Sequence, residues 1–498
     1  MQEDTAQILK VLAERSDSLD PKGRELSIIL AAGHGKRIKS EKSKMLHEIW
    51  GKPSVWRVCE AARKGLSSSN QIVVVGIKAV EVVKALGKRK NRVFVYQDEQ
   101  RGTGDAVKMA LDSGLFDSYG GDIYIFPGDM GLLTESMVRK FKRTFRERLC
   151  DMLVMTGIYG GKREDNYYGR IIKPRSEKDR IAEIREYRDI LAMGKNSRYT
   201  LTFGGQEETL KREELLNLRE FNTGVYAFKI QPLRDYIHHV TSDNVQGEIY
   251  VTDLIKIFND HGLIVHSAPV ENSDLVVAFN VKSVLKQMEE IFRSAVYEGL
   301  KDLITIDDPD DFFIAEETIH QIQAMDKRVG ALDIHIGKGV SIGKDVQLGR
   351  GLVIKRNAQL SGNVKIGENV TIGENVILSN YPGQLIEIGD ETHILAGNII
   401  KGNVKIGRTV HIESGVRITG SDEWPVRIGD NVLIKGMTYI FGSIIEDDLL
   451  IVHSILQNQR VSRVVRRDGE VQPIKYILPH PDGLDSIYPL KKRARRTR

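Results

Sequence analysis

The strongest constraint on this chain is a six-residue repeat. Ile336, Ile342, Leu348, Ile354, Leu360, Ile366, Ile372 and Leu378 lie six apart. The count slips by four and resumes at Ile388, Ile394, Ile400, Ile406, Ile412 and Ile418. It slips by four again before Ile428, Ile434 and Ile440. Glycine follows many of these aliphatics, as in IGKGVS, IGKDVQ, IGENVT and IGRTVH. Six residues are too few for a helical hairpin repeat. They suit one face of a three-sided parallel β-helix, with each aliphatic pointing inward. About eighteen residues then make a coil, giving roughly five to six coils over 331–445. The slips, SNYPGQLIE and TGSDEWPVR, are expected to be loops leaving the prism.

The first half has a different grammar. ELSIILAAG is a strand followed by a small-residue loop, and SVWRVCEAARKG reads as a helix. QIVVVG has the unbroken β-branched run of a buried parallel strand. AVEVVKALGK (helix), NRVFVYQ (strand) and GTGDAVKMALDSGL (helix) follow, and GDIYIFPGDM is a strand ending in an acidic residue. This alternation predicts a doubly wound sheet, which binds ligands at the carboxyl ends of its strands. Gly33, Gly102 and Asp129 fall at such ends.

From about 150 to 280 the pattern is mixed and predicts antiparallel strands added to the sheet to hold a second substrate. Within it, 190–215 reads as a long polar loop. The expected organisation is an N-terminal extension (1–23), an α/β domain (24–285), a linker helix and connection (286–330), the β-helix (331–445) and a C-terminal segment with a basic tail (446–498). That last segment is expected to cover the open end of the prism.

Of the 498 residues, 41% are hydrophobic and 28% charged, a folded rather than a disordered mixture. No apolar run approaches the ~20 residues that cross a bilayer. The start, MQEDTAQILKVLAERSD, lacks a signal-peptide core. A cytoplasmic location and no membrane span are therefore expected. Cys59 and Cys150 supply neither a disulfide framework nor a cysteine metal site. The net charge of +5 comes partly from Lys491, Lys492, Arg493, Arg495, Arg496 and Arg498. We read that cluster as a solvated tail, with no nucleic-acid partner expected.

The stretch LAAGHGKRIKSEKSKMLH, Leu30 to His47, places a small-residue loop and a run of Lys and Arg directly after a strand. Small residues let the backbone approach a ligand, and backbone N–H groups can hold oxyanions. Lys and Arg neutralise phosphates. Neither GxxxxGK[ST] nor GxGxxG is present.

Continued to LAAGHGKRIKSEKSKMLHEIWGKP, the stretch resembles the signature of sugar-1-phosphate nucleotidyltransferases. It is most similar to their bacterial bifunctional branch, which joins an N-acetylglucosamine-1-phosphate uridyltransferase to a glucosamine-1-phosphate acetyltransferase. The resemblance continues in register through QDEQRGTGDAV, FPGDM, YYGRI, IREYRD, FNTGVY, QGEIYVTDLI and VAFNVKSVL, so it spans about 25–290. It implies a Rossmann-like α/β nucleotidyltransferase domain followed by a left-handed parallel β-helix of hexapeptide repeats. The implied reaction is Mg2+-dependent formation of UDP-N-acetylglucosamine and pyrophosphate from UTP and N-acetylglucosamine 1-phosphate.

By resemblance, Leu30, Ala31, Ala32 and Gly33 would lie against the nucleotide. Arg37 would contact the triphosphate, and Lys44 would lie between the nucleotide and sugar phosphates. Gln97, Gln100, Gly102 and Thr103 would select uracil. Asp129 and Asn280 would be the Mg2+ pair, and Gly169, Glu186 and Asn222 would hold the amino sugar. A homotrimer assembled through the β-helix is also implied.

Several positions depart from the family pattern. Lys36 replaces Thr and Ser43 replaces a Pro, whose loss is expected to loosen Lys44. The acetyltransferase motifs are missing. His393 and His411 are the nearest candidates for a general base there, and both read as rung-face residues. No acetyltransferase activity is expected. His47 is expected to pack beside the loop rather than act as a base. Open alternatives are a same-fold enzyme for another sugar such as glucose 1-phosphate, a regulatory paralogue without turnover, and an acyltransferase with an unfamiliar acceptor.

Overall fold

The computed structural model describes residues 5–33, 35, 38–114, 119–177, 179–463 and 468–469, and the backbone of 474–475. The chain divides into two compact units, with the division between Phe292 and Arg293.

Among its described residues the first unit has thirteen strands. They are β1 (Glu25–Ala31), β2 (Glu48–Ile49), β3 (Lys52–Pro53), β4 (Gln71–Val75), β5 (Arg92–Tyr96), β6 (Asp122–Pro127), β7 (Met152–Ile158), β8 (Arg170–Ile172), β9 (Glu183–Arg185), β10 (Arg198–Phe203), β11 (Gln206–Lys211), β12 (Glu220–Phe228) and β13 (Val265–Pro269). The main sheet runs β13-β7-β12-β6-β1-β4-β5, with β8 and β9 branching from β12. β1 pairs in parallel with β4 on one side and β6 on the other, while β12 is antiparallel to β6 and β7. Chain order reverses at β1, so a crevice opens where β1 and β6 end.

Both faces of this sheet are covered, which is why its central strands read as unbroken apolar runs. Ile29, Ala31, Val73, Val75 and Phe126 point to the helices Ser54–Leu66, Ala79–Leu86 and Glu135–Glu147. Leu26, Ile28, Ile72, Val74, Ile123 and Ile125 point to the opposite core, shared with helices Thr103–Leu111 and Asp253–Asp260. The N-terminal helix Thr5–Arg15 joins the first of these cores through Ile8 and Leu12.

The segment expected to be a long polar loop is folded. It contains a helix (Tyr187–Ala192), the hairpin β10–β11 and a second helix (Arg212–Asn217). The two-residue turn Gly204–Gly205 has φ +58 and +77, the twist that closes a hairpin. Its strands bury little, so polarity masked them, but Leu201 and Leu215 anchor a small core with Ile172, Ala182 and Ile190.

In the second unit, three parallel ladders of nine, eight and seven strands stack coil on coil. This is the hexapeptide-repeat left-handed β-helix expected from the sequence. All seventeen in-phase aliphatics from Ile336 to Ile440 are at most 4% exposed. Asn357, Asn369, Asn375 and Asn431 turn corners with φ between 55 and 60, a conformation asparagine tolerates.

The ladders extend beyond 331–445. Thr305–Ile306 and Phe312–Ile314 start two of them before the helix Glu316–Val329. Past 445 the strands Leu450–Val452, Ile455–Gln457 and Arg460–Val461 continue all three. The segment expected to cap the prism is thus, as far as Val461, more prism. Its buried residues Ile445, Ile451, Leu456 and Val461 are five or six apart, which breaks the strict hexad. The PHPDG turn and the basic tail lie outside the described residues. Among the described residues no helix is long and apolar enough to cross a membrane.

Burial on the prism predicts a sharp contrast between neighbours. Ile394 is fully buried and His393 is exposed. Ile394→Ala should cost ~2–5 kcal/mol, and His393→Ala under ~0.5 kcal/mol. Urea unfolding followed by circular dichroism checks both.

Candidate functional site

Register brings the site together. Leu30 of β1 lies opposite Pro127 of β6, so the loop after β1 and the turn after β6 leave the sheet side by side. Gly128 N donates to Leu30 O (2.9 Å), and Ser54 Oγ donates to Gly128 O (3.1 Å), fixing the Gly128–Asp129 turn from two sides. Ala31 and Ala32 are buried under this loop. Arg37 lies outside the described residues, as do His34 and Lys36.

Lys44 opens a short 3-10 turn, Lys44–Leu46, behind the loop. Its Nζ donates to Asp129 Oδ2 and to Asn280 Oδ1 (2.8 Å), and it lies 5.6 Å from the centre of the Phe279 ring. Lys44 and Asp129 are each only 8% exposed. Three predicted residues from distant parts of the chain therefore meet at one point. The loosening expected from Ser43 is absent. Ser43 has φ −53, within proline's own range, and is buried, so packing imposes the torsion a ring would have fixed.

Whether the Asp129–Asn280 pair suits a magnesium ion is answered by its donors. A carboxylate and an amide carbonyl are hard oxygen ligands, and both converge on one cationic group. Among the described residues no group of three or more His, Cys, Asp or Glu side chains could hold a metal. A divalent cation here would rest on two protein oxygens and complete its shell with water and phosphate, which is how Mg2+ commonly binds.

The proposed base-selecting residues follow β5, where Gln97 N donates to Val75 O at the end of β4 (2.8 Å). Gln97 is 3% exposed and spends its amide on Asp105 Oδ2 (2.7 Å). Gln100 Nε2 donates to Gln97 O (3.1 Å). A side chain at Gly76 would meet both Gln100 Nε2 and Ala32 O at 2.8 Å, so only glycine lets these two groups share a space. Gly102 has φ +118, and a side chain there would come within 2.4 Å of Ile249 O. Gly104 N donates to that same oxygen (2.8 Å), and Ile249 N donates to Arg101 O (2.7 Å). The 101–104 loop is thus docked on 249–251, where Thr103 Oγ1 accepts from Val251 N.

The sugar candidates gather on β12 and its neighbours. Asn222 N donates to Gly169 O (2.9 Å), and Asn222 Nδ2 donates to the buried Tyr226 hydroxyl (2.8 Å). A side chain at Gly169 would lie 3.0 Å from Glu186 Oε1. The fully buried Arg170 shapes this loop by donating to Asn166 Oδ1 (2.9 Å) and Asn166 O (2.8 Å) and by lying under the Tyr187 ring. Burial, Tyr159 and the Asp129 charge push the Tyr168 phenol up to about 12.

Sequence reasoning missed the acidic surroundings of Glu186. Burial, then Asp189, Asp253 and Glu248, push its carboxyl up to about 7, against the opposing effect of Arg170. Asp253 is itself pushed up to about 6 by burial, Glu183 and Asp189. In the sequence Asp253 reads as an ordinary first-turn acid of its helix, because its acidic neighbours come from distant segments. His47 packs edge-on to Phe279 at 6.2 Å, and burial together with Lys42 and Lys282 lowers its pKa.

A small-residue loop, a convergent lysine–carboxylate–amide group and an open α/β sheet define a nucleotide-handling domain. Residues 27–198 match the family model of the MobA-like NTP transferase domain, and 345–380 match the bacterial transferase hexapeptide. A bifunctional protein GlmU from Caldanaerobacter subterraneus subsp. tengcongensis is 33% identical over 293 residues, covering 59% of this chain and 57% of that protein. The bifunctional protein GlmU of Bacillus subtilis is 31% identical over 297 residues, covering 59% and 58%. The chain thus spans little more than half the length of the curated relatives it matches. A solved UDP-glucose pyrophosphorylase complexed with UDP-glucose shares 13% identity at a TM-score of 0.39, covering 54% of this chain and 99% of that one. Over residues 27–198 the first unit thus carries an NTP transferase domain of the MobA-like type.

The acid cluster makes a pH prediction. The folded protein holds the Glu186 proton more tightly than an unfolded chain, whose value is near 4.5. Its contribution to stability is therefore lost as pH rises from about 4.5 through about 7. Glu186→Gln should gain stability relative to the unsubstituted protein across that window and show no relative gain below it. Urea midpoints at pH 4, 6 and 8 check this.

Proposed function

We propose that the first unit is a Mg2+-dependent uridylyltransferase that forms UDP-N-acetylglucosamine and pyrophosphate from UTP and N-acetylglucosamine 1-phosphate. The observation that carries the reading is the meeting of Lys44, Asp129 and Asn280 beside the β1 loop, with Gly169, Glu186 and Asn222 near the same turn. Two anionic substrates must be brought together there. A phosphate oxygen of the sugar phosphate attacks the α-phosphorus of UTP, and the bond to the bridging oxygen breaks to release pyrophosphate. No covalent protein nucleophile is needed, so positioning and charge neutralisation carry the reaction.

In this reading Arg37 and Lys44 take the phosphates. Asp129 and Asn280 would hold the Mg2+, which supplies charge neutralisation at the triphosphate. Gln97, Gln100, Gly102 and Thr103 frame the uracil. Asn222, Glu186 and the Gly169 loop hold the sugar. The β-helix acts as an assembly element for a homotrimer and carries no acetyl transfer. His393 and His411 sit in register on adjacent coils with ring centres 6.2 Å apart, as rung-face residues, while Ile394 and Ile412 fill the interior.

Pyrophosphate release with Mg2+, UTP and a panel of sugar 1-phosphates tests the reading. Release is expected with N-acetylglucosamine 1-phosphate and at least tenfold less with glucose 1-phosphate. No release with any sugar would sink it. Asp129→Ala should lower kcat by ~100-fold or more. Asn222→Ala should raise KM for the sugar phosphate while leaving KM for UTP within about twofold. With acetyl-CoA and glucosamine 1-phosphate, no free thiol should appear.

A further inference from the structure

We infer that Lys44 is an internal cation that closes the metal pair until a nucleotide draws it away, so that metal and nucleotide enter together. The inference rests on Asp129 and Asn280 being the metal pair of the proposed reaction. The Lys44 ammonium already occupies the point where their two oxygens converge. A divalent cation bound to the same oxygens would lie against a positive charge in a nearly dry site, where like charges repel strongly. The metal therefore gains the pair only when the ammonium leaves.

The surroundings fix how it can leave. The Lys44 backbone is held in its turn by Leu46 N donating to Ser43 O (3.0 Å), and Ser43 is buried. Its stem lies against the β1 loop, since a side chain added at Gly35 would come within 2.7 Å of Lys44 Cβ. The freedom that remains is in the four-carbon side chain, and the group beside it is the loop expected to take the triphosphate. A phosphate arriving there offers the ammonium a second anion, and Asp129 and Asn280 then lose their cation as the metal carried by the nucleotide approaches. The coupling must be reciprocal: nucleotide strengthens metal binding by the same factor that metal strengthens nucleotide binding.

The test is Mn2+ binding to the nucleotide-free full-length protein, read as loss of the free-ion electron paramagnetic resonance signal. Lys44→Gln and Lys44→Met should bind Mn2+ at least tenfold more tightly than the unsubstituted protein, and adding Asp129→Asn to either should abolish the gain. Lys44→Arg keeps a cation and should bind as weakly as the unsubstituted protein. Thermal unfolding reports folding: Mn2+ should raise the melting temperature of Lys44→Gln more than that of the unsubstituted protein. Equal Mn2+ affinity in Lys44→Gln and the unsubstituted protein, with binding still lost on Asp129→Asn, would overturn the closure and leave the metal pair standing. A gain that survives Asp129→Asn, or no Mn2+ binding to any variant with or without UTP, would overturn both.

Discussion

The pairing of β1 with β6 is the constraint from which the site follows. Six backbone pairings, from Glu25 with Asp122 to Leu30 with Pro127, end both strands at one level. The small-residue loop and the acidic turn leave the sheet as neighbours for that reason alone. β12 then lies antiparallel beside β6, and its irregularity at Gly224 sits against Pro127. The proposed sugar residues on β12 are thereby brought toward the β1 loop without any long loop having to reach across. The chemistry needs two anions held in fixed relation, and a sheet supplies that more rigidly than loops can.

What was legible in the sequence follows from how locally each feature is encoded. Each coil of the prism repeats its own inward residue, so Ile336 to Ile440 could be read off directly. The reading stopped where the spacing fell to five, although Ile445, Ile451, Leu456 and Val461 are still buried. The parallel strands were legible because burial on both faces leaves them uniformly apolar. The β10–β11 hairpin was not, because its strands are mostly exposed and only the Gly204–Gly205 turn marked it.

The site was legible in its parts and not in its assembly. Resemblance named Lys44, Asp129 and Asn280, but nothing local says that one side chain touches the other two. They are 85 and 236 residues away from Lys44 along the chain. The raised carboxyls of Glu186 and Asp253 have the same origin, since each is set first by burial and then by acids, several of them from distant segments. Ser43 shows the converse. A local rule predicted looseness where proline is missing, and burial of the residue supplied the restraint instead.

The Lys44–Asp129 pair is a poor way to stabilise a protein. Two buried charges lose their hydration, and apolar residues of similar size often do as well or better. Breaking such a pair, however, leaves an uncompensated charge, so the arrangement resists every change except exchange for another cation. That asymmetry is what a site for anionic substrates and a divalent metal needs. Without substrates, the ammonium holds the Asp129 carboxylate and the Asn280 carbonyl in place in a buried crevice. In the proposed reading the same positive charge would then serve phosphate, and the carboxylate would be free to hold the metal. One lysine can serve both states because its stem is long and its backbone is held in the Lys44–Leu46 turn.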